Sequence, residues 1–386
     1  MQKSGKFQSF DVVLISLVHH IHDIYTSFLA PVQTLLIEKL AINHTLFGLL
    51  AVIQRIPNLF NPFMGILAER VRVRYFMIFS PTVTAVAMSL IGIAPTYSFL
   101  AILMLVSGIG SSMFHVPTPG MINHVAGKKT GRGMSFYMVG GELARTLGPI
   151  IVLGAIDLWG FGGIYRLMPM GLVSSLILFL RFRKVDLRKK IPHEEVKGKY
   201  RKVFREFLPV LLMIVGISFS RGFMKSCFTY YLPGYLKEEG YSLWISGISL
   251  SLVYLSGTAG TFLSGTLSDI LGRRNTLLIL SIVSPILMGL FILAGPAATF
   301  PLLLLIGFFL LATTPVFLTI IHKQKTEHLP FINGIYMTTN FLVSSLTTLI
   351  TGVAFDKLGN ATTFRLAAVV AVIAIPVAYF FQEEKE

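Results

Sequence analysis

Charge is scarce in this sequence. Only 13% of its 386 residues are Asp, Glu, Lys or Arg, while 54% are hydrophobic. A soluble globular domain carries roughly 25% charged residues. A single cysteine, Cys227, excludes a disulfide framework and any cysteine-based zinc site. No GxxxxGK[ST] loop occurs, which argues against a nucleotide-driven pump, and no HExxH-type spacing marks a metalloenzyme. The longest polar stretch is the central segment 181–206, too short for a soluble catalytic, receptor or scaffold domain. Neither an enzyme nor a cofactor or metal is therefore expected.

What is present is a series of long apolar runs. Runs of about 20 residues match helices crossing a hydrocarbon core of roughly 30 Å. They are apolar all round rather than alternating, so helices rather than barrel strands are expected. Spans are placed at 10–37, 45–69, 75–94, 98–123, 134–157 and 162–182. A second set falls at 207–236, 243–269, 275–295, 299–321, 332–356 and 361–381.

The excess of basic residues, 33 Lys and Arg against 18 Asp and Glu, lies mostly in alternate loops. "RVRVR" (70–74), "GKKTGRG" (127–133), "GRRN" (272–275), "HKQKTEH" (322–328) and the central linker would share one side. The opposite loops, such as "APTYS" and "GPAATF", are almost uncharged. Positive loops stay cytoplasmic, so both termini are expected there, in a plasma or inner membrane. Charge spread over loops, with no compact domain to carry it, speaks against nucleic acid. The N-terminus has no small-residue cleavage site and its first helix is too polar for a signal peptide.

The two sets of six resemble each other. "DLWGFGGIYRL" (157–167) matches "DKLGNATTFRL" (356–366), and "FYM" (136–138) matches "IYM" (335–337) at the same offset. "GILAERVRVR" (65–74) matches "GTLSDILGRR" (265–274) one residue away. The expected architecture is all-α and membrane-integral, with twelve helices in two pseudo-symmetric halves. An N-terminal half (1–182) and a C-terminal half (207–386) are joined by a basic linker (183–206). Parallel repeats of this kind characterise the major facilitator superfamily, whose members bind substrate near mid-membrane.

"GTLSDILGRR" resembles that superfamily's cytoplasmic loop signature. Gly265 is expected to let neighbouring helices approach, Asp269 to cap a helix end, and Arg273 and Arg274 to supply the basic cluster. The first copy has Gly65, with Glu69 for the aspartate and Arg72 where glycine would sit. "GGELARTLGP" (140–149) resembles the glycine–proline motif of fifth helices in antiporters, through Gly148 and Pro149. It also suits plain small-residue helix packing.

Few ionisable groups remain at membrane depth, where each costs about 2.5–3.5 kcal/mol on insertion scales. The acids are Asp23 and Glu142; the bases are Arg55, Arg145, Arg221 and Lys225; His19, His20, His22 and His115 join them. In "SLVHHIHDIYTS" (16–27), His19 and Asp23 are four apart and share a helix face, while His20 points elsewhere. A carboxylate beside a histidine can hold a proton that leaves when water gains access. His115, in "GSSMFHVPTPG", is expected either to face Asp23 or to bond a carbonyl freed by Pro117 and Pro119. In "SRGFMKSCFTYYLPGYL", Arg221 and Lys225 share a face, with Tyr230, Tyr231 and Tyr235 beyond. Glu142 and Arg145, three apart, can neutralise each other. The excess of bases favours an anionic substrate.

Together, "SLVHHIHDIYTS", "SGIGSSMFHVP", "VGGELARTLGP" and "GTLSDILGRR" resemble the fosmidomycin-resistance family of major facilitator efflux proteins. The resemblance implies a monomeric, proton-driven exporter of small, polar, often anionic compounds. It gives His19, Asp23 and His115 to proton coupling and matches Arg221 to a basic position in the seventh helix. Arg55, Lys225, Glu142, Arg145 and Tyr231 complete the expected substrate set. "FHVPT" stands here where the family has "FHPE", so an acidic neighbour of His115 is missing. Uptake of an organic acid or sugar phosphate, by symport or facilitation, is the alternative, because direction is not written in residues.

Overall fold

The structure, a computed structural model, describes residues 7–61, 74–185, 199–323 and 329–381. Among these residues every regular element is a helix. Gly65, Glu69 and most of the "RVRVR" loop lie outside the described residues.

The first half contains α1 (Ser9–Thr26), α2 (Gln33–Leu40), α3 (His44–Arg55), α4 (Arg74–Ser89), α5 (Tyr97–His115), α6 (Thr118–Ala126), α7 (Thr130–Trp159) and α8 (Met168–Phe182). The second contains α9 (Lys199–Ser226), a π-helical turn Cys227–Tyr231, α10 (Leu232–Glu238), α11 (Leu243–Leu271) and α12 (Arg273–Leu293). It continues through α13 (Pro296–Leu311), α14 (Thr313–His322), α15 (Leu329–Leu358), α16 (Asn360–Ala371) and α17 (Ala374–Phe380).

Several expected spans are broken, and prolines account for the breaks. Proline lacks the N–H that would continue the ladder and its ring crowds the preceding turn. The fourth span divides into α5 and α6 around Pro117, and the seventh passes through the π-turn just before Pro233. The first span breaks near Pro31 into α1 and α2. Ten segments among the described residues are long and apolar enough to cross a bilayer. The pair Gln33–Leu40 and His44–Phe60, bent by 117°, passes only together. α1 is outside that set because three histidines and two aspartates sit in its 18 residues.

By internal contacts the chain divides into two units, Met1–Ile42 with Leu50–Pro192, and Asn43–Leu49 with His193–Glu386. Each has its own apolar core. In the first, Val12, Ile15, Met77, Phe114, Tyr137 and Phe182 are buried together. In the second, Phe207, Ile214, Leu277, Val316 and Tyr336 do the same. Outward-facing apolar side chains such as Leu212, Phe262, Ile270 and Leu293 are left uncovered, as a lipid-facing surface requires.

The repeat is visible in local geometry. Gly160 (φ 72°, ψ 167°) and Gly359 (φ 77°, ψ 168°) adopt the same conformation after α7 and α15, in a region essentially reserved for glycine. Arg74 donates to the Val185 carbonyl at 2.6 Å, and Arg274 donates to the Tyr379 carbonyl at 2.9 Å. Each arginine also lies over a tyrosine ring. In each unit, therefore, the start of the third span is tied to the end of the sixth.

In the first unit α1 runs along α7, and glycines set the approach. A Cβ at Gly140 would meet the Ser16 carbonyl, and one at Gly148 would meet the Ser27 hydroxyl. Those positions are real close contacts. Gly265 differs from expectation, because a Cβ there would meet nothing within 4 Å among the described residues.

Candidate functional site

Gly141 is the centre of the α1–α7 seam. With no Cβ, it leaves room for the His19 ring and the Asp23 carboxylate to lie directly against the α7 backbone. His115 reaches the same place from the C-terminal end of α5, where the helix breaks at Pro117. The three residues expected to act together are thus brought together by three elements of one unit.

His19 Nε2 lies 3.2 Å from Asp23 Oδ2, and His115 Nε2 lies 3.1 Å from Asp23 Oδ1. Both histidines therefore partner Asp23. His22 Nε2 is 4.0 Å from Oδ1, and neither His22 ring nitrogen has a hydrogen-bond partner. His20 turns away, its Nδ1 donating to the Gly140 carbonyl at 3.0 Å. Exposure is graded: the side chains of His22, Asp23 and His19 are 0%, 5% and 5% accessible, that of His115 36%. Within this cluster His115 is the most exposed side chain.

The hydrogen-bond pattern fixes one proton. His19 Nδ1 is 2.7 Å from the main-chain carbonyl of Tyr137. A carbonyl can only accept, so Nδ1 carries the hydrogen and the neutral ring leaves Nε2 bare. That bare nitrogen stands beside a carboxylate oxygen and lacks a well-aligned hydrogen bond. Two acceptors at this distance in a dry site repel unless a cation or proton lies between them. The donor atoms of His19, Asp23 and His115 all fall within 4.8 Å of one another. The spacing would also admit a small metal ion, with donors from two separate helices.

The expected substrate residues are distributed differently. Arg221 is buried in the second unit, with its terminal nitrogens donating to the Leu280 and Phe309 carbonyls, the latter at 3.0 Å. Here the guanidinium joins α9 to α12 and α13, a different placement from the open anion-binding position expected. Tyr231 is also buried, its hydroxyl donating to the His44 and Thr348 carbonyls at 3.3 and 3.2 Å. It acts as a strut. Glu142 and Arg145 pair with each other at 3.2 Å, with Arg145 exposed. Arg55 and Lys225 are half-buried. Of the loop signature, Asp269 is exposed near the C-terminal end of α11, where a carboxylate is a poor cap, and Arg273 is buried. Gly148 and Pro149 lie inside α7.

Three groups escaped the sequence reading. Asp11 is buried and accepts a two-point contact from Arg181 at 2.6 and 2.9 Å, joining α1 to α8. Asp356 of α15 accepts from the main-chain N–H groups of His44 and Thr45, both at 2.8 Å, and so caps α3 within a segment counted with the second unit. Tyr137, quoted only as part of the repeat, is in contact with both His19 and His115. A buried acid near a span end, opposite a span-end arginine, was the available signal for the first; nothing local marked the others.

Comparison with known proteins agrees with this architecture. The profile of the Major Facilitator Superfamily matches residues 15–348. The chain is 21% identical over 375 residues to the fosmidomycin resistance protein of Escherichia coli (strain K12), covering 94% of this chain and 90% of that one. It is 23% identical over 232 residues to a multi-drug resistance efflux pump of Streptococcus pneumoniae, 59% of this chain and 58% of the pump. Among solved structures, a bacterial homolog of the human lysosomal transporter Spinster superposes with a TM-score of 0.79 at 14% identity, over 97% and 96% of the two chains.

Proposed function

The chain belongs to the major facilitator superfamily, and on that premise we propose that it is a proton-coupled exporter of a small polar or anionic compound. Carriers of this kind work without covalent chemistry; they change which side of the membrane reaches a bound substrate. Coupling requires that proton and substrate each favour a different state, because a ligand with equal affinity for all states drives nothing.

One observation carries the reading. The Asp23 cluster has a place for one proton, between His19 Nε2 and Asp23 Oδ2, and His115 is its most exposed side chain. Asp23 with His19 takes up the proton and His115 carries it to and from solvent. Arg55 and Lys225, both half-buried, are the basic groups proposed to draw the anion. The relatives' names, a fosmidomycin resistance protein and a multi-drug efflux pump, support export and a phosphonate-type compound. Basic loops retained in the cytoplasm give the orientation, with both termini inside.

The test uses the purified protein in liposomes with a pH-sensitive dye trapped inside. Phosphonates including fosmidomycin, phosphosugars and carboxylates are added in turn, to wild type and to Asp23→Asn. Proton flux that depends on one of these compounds and disappears in Asp23→Asn supports the reading. Compound flux that is equal in both proteins, with no proton movement in either, removes the coupling role and leaves a facilitator.

A further inference from the structure

The two histidines on Asp23 look equivalent by distance, yet Tyr137 holds them in opposite ways. Its main-chain carbonyl accepts from His19 Nδ1 at 2.7 Å, while its hydroxyl lies 3.1 Å from His115 Nδ1. Its ring stacks on His19 with centroids 4.0 Å apart and planes at 14°, and the residue is 4% exposed. We infer that Tyr137 is a positioning residue that makes His19 the acceptor of the transported proton and His115 a standing donor to Asp23. The inference rests on the proton-site reading above and adds the residue that sorts the two histidines.

A carbonyl fixes a tautomer; a hydroxyl can donate or accept, and beside His115 it donates because the Asp23 carboxylate accepts from Nε2. The carbonyl forces a hydrogen onto His19 Nδ1 and leaves Nε2 bare toward Oδ2. The hydroxyl can donate, and when it donates to His115 Nδ1 the ring hydrogen moves to Nε2, which then donates to Oδ1 at 3.1 Å. Asp23 is therefore satisfied on one oxygen in the neutral cluster and short of a hydrogen on the other. Proton uptake then has one address. Without the hydroxyl, His115 could carry its hydrogen on either nitrogen, and its freed Nδ1 would become a second acceptor. The other titratable groups on the packed elements are engaged elsewhere or lie apart. His20 bonds Gly140, Arg181 of α8 pairs with Asp11, Glu142 pairs with Arg145 on α7, and Arg74 of α4 bonds Val185. His124 is on the last turn of α6. His22 is the remaining neighbour, stacked on Phe114 with both ring nitrogens unbonded.

The test is nitrogen-15 spectroscopy of the full-length protein with labelled histidine, titrated in liposomes, with signals assigned by single His→Gln variants. In neutral wild type, His19 should carry its hydrogen on Nδ1 and His115 on Nε2. In Tyr137→Phe, which keeps the stacking and the carbonyl, His19 should keep its tautomer while His115 becomes a mixture. A purely structural tyrosine would leave the His115 tautomer unchanged. Hydrogen on Nδ1 of wild-type His115 overturns the inference without any variant, as does a His115 tautomer in Tyr137→Phe identical to wild type. Asp23→Asn separates the two readings: if no histidine's titration responds to it, the proton site itself has failed, whereas a clear response beside an unmoved Tyr137→Phe rejects Tyr137 alone.

Discussion

A methyl group at position 141 would sit 2.6 Å from Cε1 and 2.9 Å from Nε2 of His19, and 3.2 Å from Oδ2 of Asp23. The ring is stacked on Tyr137 and bonded at Nδ1, so it has nowhere to retreat without losing the proton position. Gly141→Ala should therefore lose proton-coupled flux in liposomes while costing only about 1–3 kcal/mol of stability, the usual range for overpacking. A loss of folding with coupling intact in the surviving fraction would contradict this. At Arg221 the opposite split is expected. Arg221→Met removes the two bonds to the Leu280 and Phe309 carbonyls, roughly 1.5–3 kcal/mol for each bond from a charged group, although Leu280 keeps the Ser284 hydroxyl. Melting should fall, and transport per folded molecule should stay near wild type. Arg221→Lys should rescue little, since one ammonium cannot reproduce a planar fork. Were Arg221 an anion ligand, apparent substrate affinity would fall and melting would not.

Helix ends carry the repeat. Gly160 and Gly359 turn the chain with nearly identical angles after two helices of 30 residues each, α7 and α15. Replacing either by alanine forces a side chain into a conformation costing on the order of 1–3 kcal/mol. Both variants should lower the melting temperature by similar amounts, and a large difference between them would mean that the two turns are not equivalent. The repeat was legible because Asp, Gly, Arg and Leu recur at one offset, and the proline breaks in the fourth and seventh spans were legible because proline removes a donor. Pairing on one helix was legible too, since four residues return His19 to the face of Asp23. Contacts between helices were not. Which side chain of α7 would meet His115 depends on the depth at which the helices cross, and that depth is set by Gly140, Gly141 and Gly148 against α1. For the same reason the basic pattern of the seventh helix could not separate Arg221, turned into its own unit, from Lys225 one turn away.

At the scale of the whole molecule, direction of coupling reduces to a sign. If proton and substrate oppose each other's binding, each must weaken the other by the same factor, because linkage is reciprocal. An antiporter therefore releases a proton when its substrate binds; a symporter takes one up. The purified protein in weakly buffered detergent solution, mixed with whichever compound supports flux, should acidify the medium. Substrate affinity should accordingly rise with pH across the titration of the Asp23 cluster, with a slope approaching tenfold per unit if one full proton is exchanged. In Asp23→Asn both effects should vanish together, since they are two measurements of one coupling energy. Proton uptake on binding, with affinity falling as pH rises, would reverse the assignment to symport while leaving the cluster as the proton site. Protein that binds substrate with no proton exchanged at any pH would place the coupling elsewhere, and the histidines around Asp23 would then be packing.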